Sequence, residues 1–394
     1  MIHIIPPEPT IKYLLDILRI NTCDFPDCLK DYSRPIFQLA VEQRIYHYLA
    51  AWSLDRWNEA LSPDLRSELI HSLNANKTRN ALLCLQMLKL AQLFKHEDIP
   101  LIFLKGAAGL IRGLYPFQLR FLSDLDVLVP LHLLDKSCQV LSANGYIPDF
   151  DSEPPPHSQH IVPYYHPEYA AGIEVHKEPY GFSYYERPVM PNIWRDAELV
   201  KLKNEPLTVP SITDHVWILI RTDLLPRVYL PRICDAIEIT FILKKGYSID
   251  FDLLTKRAER DNVSNIVKGM SYTCSKYMGI EPFVPIDDSL LKHWEDWSLE
   301  FQRKLLGKTH FAGSRKRFGA LTFITNCGIV SKIRLFIWLI RYEFLEDISS
   351  TGVIRGLQPV LKLWRIVKNI WDIDFYNKPW HCIQDSSFYM VDSV

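Results

Sequence analysis

No two of the eight cysteines form a CxxC pair. Only Cys23 and Cys28 lie close together, and no second pair matches them, which argues against zinc ribbons and dithiol redox motifs. Cysteines scattered through a long chain read instead as reduced, buried small hydrophobes. There is no internal repeat and no low-complexity tract. The most apolar window, 328–341, is too short to cross a bilayer and carries Lys332 and Arg334. The opening MIHIIPPEPT lacks the basic-then-apolar order of a signal peptide. Neither sign of charge dominates, with 45 basic and 46 acidic residues. That balance argues against a protein whose main business is coating nucleic acid. These absences together point to a soluble, cytoplasmic protein with no membrane partner.

What is present is a chain of 394 residues, 48% hydrophobic and 12% aromatic. Such a chain fills a large core without disulfides or a structural metal, and its length suits two to three domains. Residues 1–75 read as an N-terminal helical region, with apolar residues at helical spacing over 11–20 and 35–54. Residues 76–96 are the clearest helix, with Leu82, Leu85, Leu88, Leu93 and Phe94 forming a stripe among Arg79, Gln86, Lys89 and Gln92. The texture then changes. Short apolar runs at 99–104 and 124–129 read as strands, 107–115 and 133–144 as helices, and Gly145 as a helix C-terminal cap. A proline-rich loop over 149–157 precedes candidate strands at 159–165 and 172–176. This alternation predicts an α/β core with a mixed sheet over 76–205. From residue 206 a C-terminal helical domain runs to 394, with helices expected at 216–225, 230–245, 251–261, 266–278, 331–344 and 360–371.

The chemistry concentrates between Leu104 and His176. Asp124 and Asp126 stand two apart at the start of a strand, so both carboxylates face one side. Like charges that close are unfavourable unless a cation lies between them, and hard oxygen donors suit Mg²⁺. Glu174 and His176 share one face of the later strand, since Ile173 and Val175 point the other way. If the two strands are neighbours, three carboxylates meet, a set able to hold two Mg²⁺ ions. Lys105-Gly106 closes one strand and opens a helix, a place where backbone amides and an ammonium can receive a phosphate. Arg120 and Ser123 lie just ahead of the carboxylates.

In order and spacing, these residues resemble the DNA polymerase beta-like nucleotidyltransferase superfamily. They are most similar to a bacterial family usually labelled uncharacterised nucleotidyltransferase. The resemblance rests on Leu104-Lys105-Gly106, Tyr115-Pro116, Arg120 through Asp124-Leu125-Asp126, and Ile173-Glu174-Val175-His176. It extends to Asn80, His160, Trp194-Arg195 and the helix containing Asp235. It implies a polymerase beta-like α/β core flanked by helical regions. It also implies an enzyme that moves a nucleoside monophosphate from an NTP, with ATP favoured, to an acceptor hydroxyl or phosphate. Asp124, Asp126 and Glu174 would be catalytic and hold two Mg²⁺, which Mn²⁺ can replace. Lys105, Gly106, Arg120, Ser123 and His176 would bind nucleotide. Lys105-Gly106 stands where the superfamily more often has Gly-Ser.

Two other readings stay open. One is a nucleotidyltransferase toxin acting on tRNA or other RNA, for which Arg303, Lys304, Lys308, Arg315, Lys316 and Arg317 interleave with Phe301, Phe311 and Phe318. The other is a non-catalytic nucleotide-binding module. A small-molecule or peptide acceptor is favoured over RNA. The site is expected to open toward the C-terminal helices, with Arg221, Arg232 and Asp235 contacting nucleotide or acceptor.

Overall fold

The computed structural model describes residues 37, 40–41, 44–150, 159–180, 190–221, 233–261 and 264–286. The helices expected at 11–20, 331–344 and 360–371, the basic and aromatic segment 301–318, and Arg232 lie outside them. The chain divides into two compact units, Met1–Ala320 and Leu321–Val394, and every described residue belongs to the first. No described helix is long and apolar enough to cross a membrane.

Helix α1 (Tyr46–Trp57) precedes a long helix, α2 (Pro63–His96). The latter begins at Pro63 rather than at residue 76. The Ser62 side chain accepts the Leu65 amide at 3.3 Å, and Pro63 occupies the first turn, where its missing N–H costs nothing. The inward face of α2 also differs from the leucine stripe read in the sequence. Leu82 and Leu85 are exposed, whereas Leu69, Leu83, Met87, Leu90 and Phe94 are buried together with Asn76, Asn80 and Gln86. Those amides are inside because each satisfies loop backbone. Asn80 donates to the Phe117 and Arg120 carbonyls at 2.5 and 2.6 Å, Asn76 to those of Gln118 and Arg120 at 2.8 and 3.2 Å, and Gln86 to that of Ala171 at 2.8 Å. A buried carbonyl stripped of its donor costs about 1–3 kcal/mol. Asn80→Leu is therefore expected to lower the unfolding free energy by roughly that amount in urea titrations. An unchanged midpoint would contradict this role.

Next come β1 (Ile102–Phe103), α3 (Lys105–Ile111), β2 (Asp124–Leu128), α4 (Leu134–Ala143), β3 (Ile147–Pro148), β4 (Tyr164–Tyr165) and β5 (Gly172–His176). Gly145 follows α4 at φ +83°, the left-handed cap conformation expected of it. The five strands form one mixed sheet in the order β1-β2-β5-β4-β3. Its centre is the parallel pair β2 and β5, with Asp126 opposite Glu174 and Leu128 opposite His176. Parallel neighbours need a long crossover, here containing α4, β3 and β4. On one face of this pair Leu125, Val127, Ile173 and Val175 are fully buried, each worth about 1.5–3 kcal/mol of apolar burial. The other face carries the polar residues.

A two-stranded hairpin, β6 (Glu198–Leu202) and β7 (Glu205–Val209), lies outside the sequence expectations and turns at Lys203, φ +57°. Helices α5 (Ile212–Arg221), α6 (Ile233–Lys244), α7 (Phe251–Arg260) and α8 (Ser264–Met278) follow. Every residue of α5 is buried, so it is an interior helix rather than an amphipathic surface one.

Candidate active site

Two strand starts meet on the polar face of the sheet, and α2 holds both. Arg79 donates to the Leu122 carbonyl at 2.8 Å and to the Ala170 carbonyl at 2.7 Å. Leu122 leads into β2 and Ala170 into β5, so one guanidinium clamps the entrances to both. Its planar, forked donors suit that double task. Arg79, in the sequence only one of the polar residues among the leucine stripe, is thus a positioning group for this site.

The parallel register puts the Asp126 and Glu174 side chains on the same face of adjacent strands. His176 joins them, with Nε2 lying 2.8 Å from Asp126 Oδ1 and 3.8 Å from Glu174 Oε2. Ligand atoms of Asp126, Glu174 and His176 all lie within 4.8 Å of one another. Asp124 shares the face but sits one pleat back, opposite Gly172 and outside that compact group. Ser123 is exposed at the strand entrance, and its backbone carbonyl accepts from Arg79 at 3.5 Å.

Lys105 comes to the same spot from β1. It begins α3 at φ +49°, a left-handed conformation costing an L-residue about 1–2 kcal/mol. The preceding Leu104 amide donates to the Asp126 carbonyl at 2.9 Å, fixing the junction against β2. The Lys105 ammonium pairs with Asp126 Oδ1. Gly106 has a packing reason of its own. A Cβ there would lie 2.3 Å from the Leu122 side chain and 3.5 Å from Arg120 Nε, so the missing side chain makes room for packing.

Arg120 is not brought into this group. It is 5% exposed, and its guanidinium lies 3.1 Å from Asp235 and 3.5 Å from Glu238, both on α6. Glu238 in turn meets His215 of α5 at 3.1 Å. Arg120 is therefore a buried tie between the loop before β2 and the helical layer, and Asp235 is its partner rather than a contact at the site mouth. Arg221 is likewise interior, 3.8 Å from Asp261 with its guanidinium over the Tyr180 and Trp217 rings.

Electrostatics separate the carboxylates. Burial disfavours ionisation of Asp126, but the Lys105 ammonium and the His176 hydrogen bond outweigh it and hold the carboxyl far below the usual range. Glu174 is also lowered, its burial overcome chiefly by the nearby His176 ring, 3.8 Å away, and the charge of Lys105. Asp124 is raised, first by burial and then by the charges of Asp126 and Glu174. For His176, burial and Lys105 push the pKa down, yet the hydrogen bond to Asp126 and the nearby Glu174 carboxylate win and raise it. Its Nδ1 lies 3.1 Å from the Glu178 carbonyl. Both ring nitrogens thus face acceptors, which favours the doubly protonated ring.

Three carboxylates face the Lys105 ammonium and two imidazoles, His176 and His160, and burial holds His160, 3.8 Å from Glu174, toward its neutral form, so anionic groups are in excess. Oxygen donors converging in that excess fit a hard divalent cation. The ligand atoms of Asp126, Glu174 and His176 lie close enough together to hold one, His176 only as the neutral ring.

Residues 33–279 match the model of a family described as uncharacterised nucleotidyltransferase. No curated protein and no solved structure matches the chain.

Proposed function

Because the chain belongs to the uncharacterised nucleotidyltransferase family, we propose that it moves a nucleoside monophosphate from an NTP to an acceptor hydroxyl or phosphate. The observation that carries this reading is the register of Asp126 on Glu174, with Asp124 on the same face and Lys105 against it. The chemistry resides in the polymerase beta-like core, 76–205, between helical regions. ATP is the favoured donor, and a small molecule or peptide is favoured over RNA as acceptor.

Asp124, Asp126 and Glu174 are the residues that would hold Mg²⁺, two ions in the full site. When bound, such ions neutralise phosphate charge and lower the pKa of an attacking hydroxyl. Everything else falls to the chain itself. Asp126 is kept ionised by Lys105 and His176, so it presents a carboxylate across the neutral range. Glu174 is ionised too, which leaves an oxygen able to take the proton of the acceptor hydroxyl. The attacking oxygen then bonds to the α-phosphorus as the bond to pyrophosphate breaks, in line, with catalysis supplied by positioning and charge. His176 fixes the orientation of Asp126 rather than moving a proton itself.

Lys105 has three N–H donors. One serves Asp126, and the others are available to a triphosphate. Lys105→Ala is expected to weaken NTP affinity about 10- to 100-fold, the range for hydrogen bonds to charged groups, with a smaller effect on kcat. Equilibrium binding of NTP against the wild type checks this. Intact affinity would remove Lys105 from the phosphate site.

A further inference from the structure

Beside the carboxylates, the polar face of the sheet carries an aromatic ring that this chemistry leaves unused. Strands β4 and β5 pair antiparallel with Tyr164 opposite Ile173. Stepping once along each strand places Tyr165 opposite Gly172, which itself pairs with Asp124. Asp124, Gly172 and Tyr165 therefore form one row across three strands, on the face that bears Asp126 and Glu174.

Gly172 lets the ring lie down. A Cβ there would meet Tyr165 Cε1 at 2.6 Å and Cδ1 and Cζ at 3.1 Å. The ring therefore leans over bare backbone instead of standing off the sheet. Tyr165 is 49% exposed, and among the described residues no other ring packs on it. Phe121, another exposed aromatic near the entrance to β2, is already occupied: His47 stacks on it at 6.0 Å and the Arg79 guanidinium lies 5.1 Å from its centroid. The phenol keeps its proton above the usual range, through burial and then the charges of Asp149, Glu174 and Asp124.

The rows also have a direction. The next row inward pairs the buried Asp126 with Glu174, with Lys105 against Asp126 and His176 one pleat deeper, and the outer row holds the part-exposed Asp124 and Tyr165. A nucleotide entering such a site sends its phosphates inward to the cations and leaves its base at the outer row. We propose that Tyr165, laid over Gly172, is the platform on which the base of the nucleotide stacks. This assignment rests on the nucleotidyltransferase reading above and adds the contact that receives the nucleoside. Stacking uses the π-face common to all bases and is tolerant of their identity. The platform therefore does not itself discriminate among ATP, GTP, CTP and UTP, and any preference for ATP lies in other contacts.

The test is calorimetric titration of the full chain with each of the four NTPs and with inorganic tripolyphosphate, all in Mg²⁺, for the wild type, Y165F, Y165A and G172A. Y165A removes the ring, and G172A displaces it. Both are expected to weaken every NTP by about tenfold or more, as loss of base–aromatic stacking does, while tripolyphosphate changes by less than about twofold. Y165F should match the wild type. Equal losses for tripolyphosphate and NTPs, or no loss for NTPs, would overturn the platform and leave the nucleotidyltransferase reading standing. A wild-type protein that binds tripolyphosphate as tightly as every NTP would do the same. A wild-type protein that binds none of the five ligands would overturn both.

Discussion

Asp126→Asn is expected to lower kcat about 10³-fold or more at saturating NTP, the scale of losing a preorganised charge at a reacting phosphate. Asp126 receives both Lys105 and His176, and its register partner is Glu174. The amide keeps the shape and removes the charge. Two cations then face a neutral group, and the oxygen set loses its central anion. Steady-state rates with saturating nucleotide, alongside a thermal melt to verify folding, read this out. A loss of less than about tenfold in a folded variant would remove Asp126 from the reaction.

Arg120→Ala is expected to act on stability instead. The guanidinium is buried against Asp235 and Glu238, and its backbone carbonyl is held by Asn76 and Asn80. Removing one member of a buried ion pair leaves the others uncompensated, at about 3–5 kcal/mol. That is a large share of the 5–15 kcal/mol typical of a folded domain. Urea titration should show the loss, and nucleotide affinity of the protein that remains folded should be unchanged. Lost affinity with full stability would return Arg120 to the nucleotide.

The core strands were legible because their signals are local. The two-residue period of Asp124-Leu125-Asp126 and of Ile173-Glu174-Val175-His176 separates a polar from an apolar face in any strand, whatever its neighbours. The cap at Gly145 is local as well. The inward face of α2 was hidden for a physical reason. Hydrophobic periodicity finds apolar faces, and Asn76, Asn80 and Gln86 are buried to satisfy loop carbonyls 37 to 85 residues away. The role of Arg79 is hidden on the same ground. The β6–β7 hairpin could have been found from the alternating Glu198–Val209 stretch around Lys203-Asn204. Arg120 and Asp235 were noticed as charges, but nothing in the sequence says that they meet each other rather than a ligand. Tyr165 carries no signal alone; its meaning comes from the register with Gly172 and Asp124.

The central claim is transfer at the α-phosphorus, and parallel reactions with α-labelled and γ-labelled ATP test it most directly. Each is run with the full chain, Mg²⁺ and a cell extract as the source of acceptors, beside the Asp126→Asn variant as a control. Nucleotidyl transfer expects the α-label in a covalent product and the γ-label released in pyrophosphate, neither with the variant. Transfer of the γ-label to the product, with the α-label left in ADP, would contradict it.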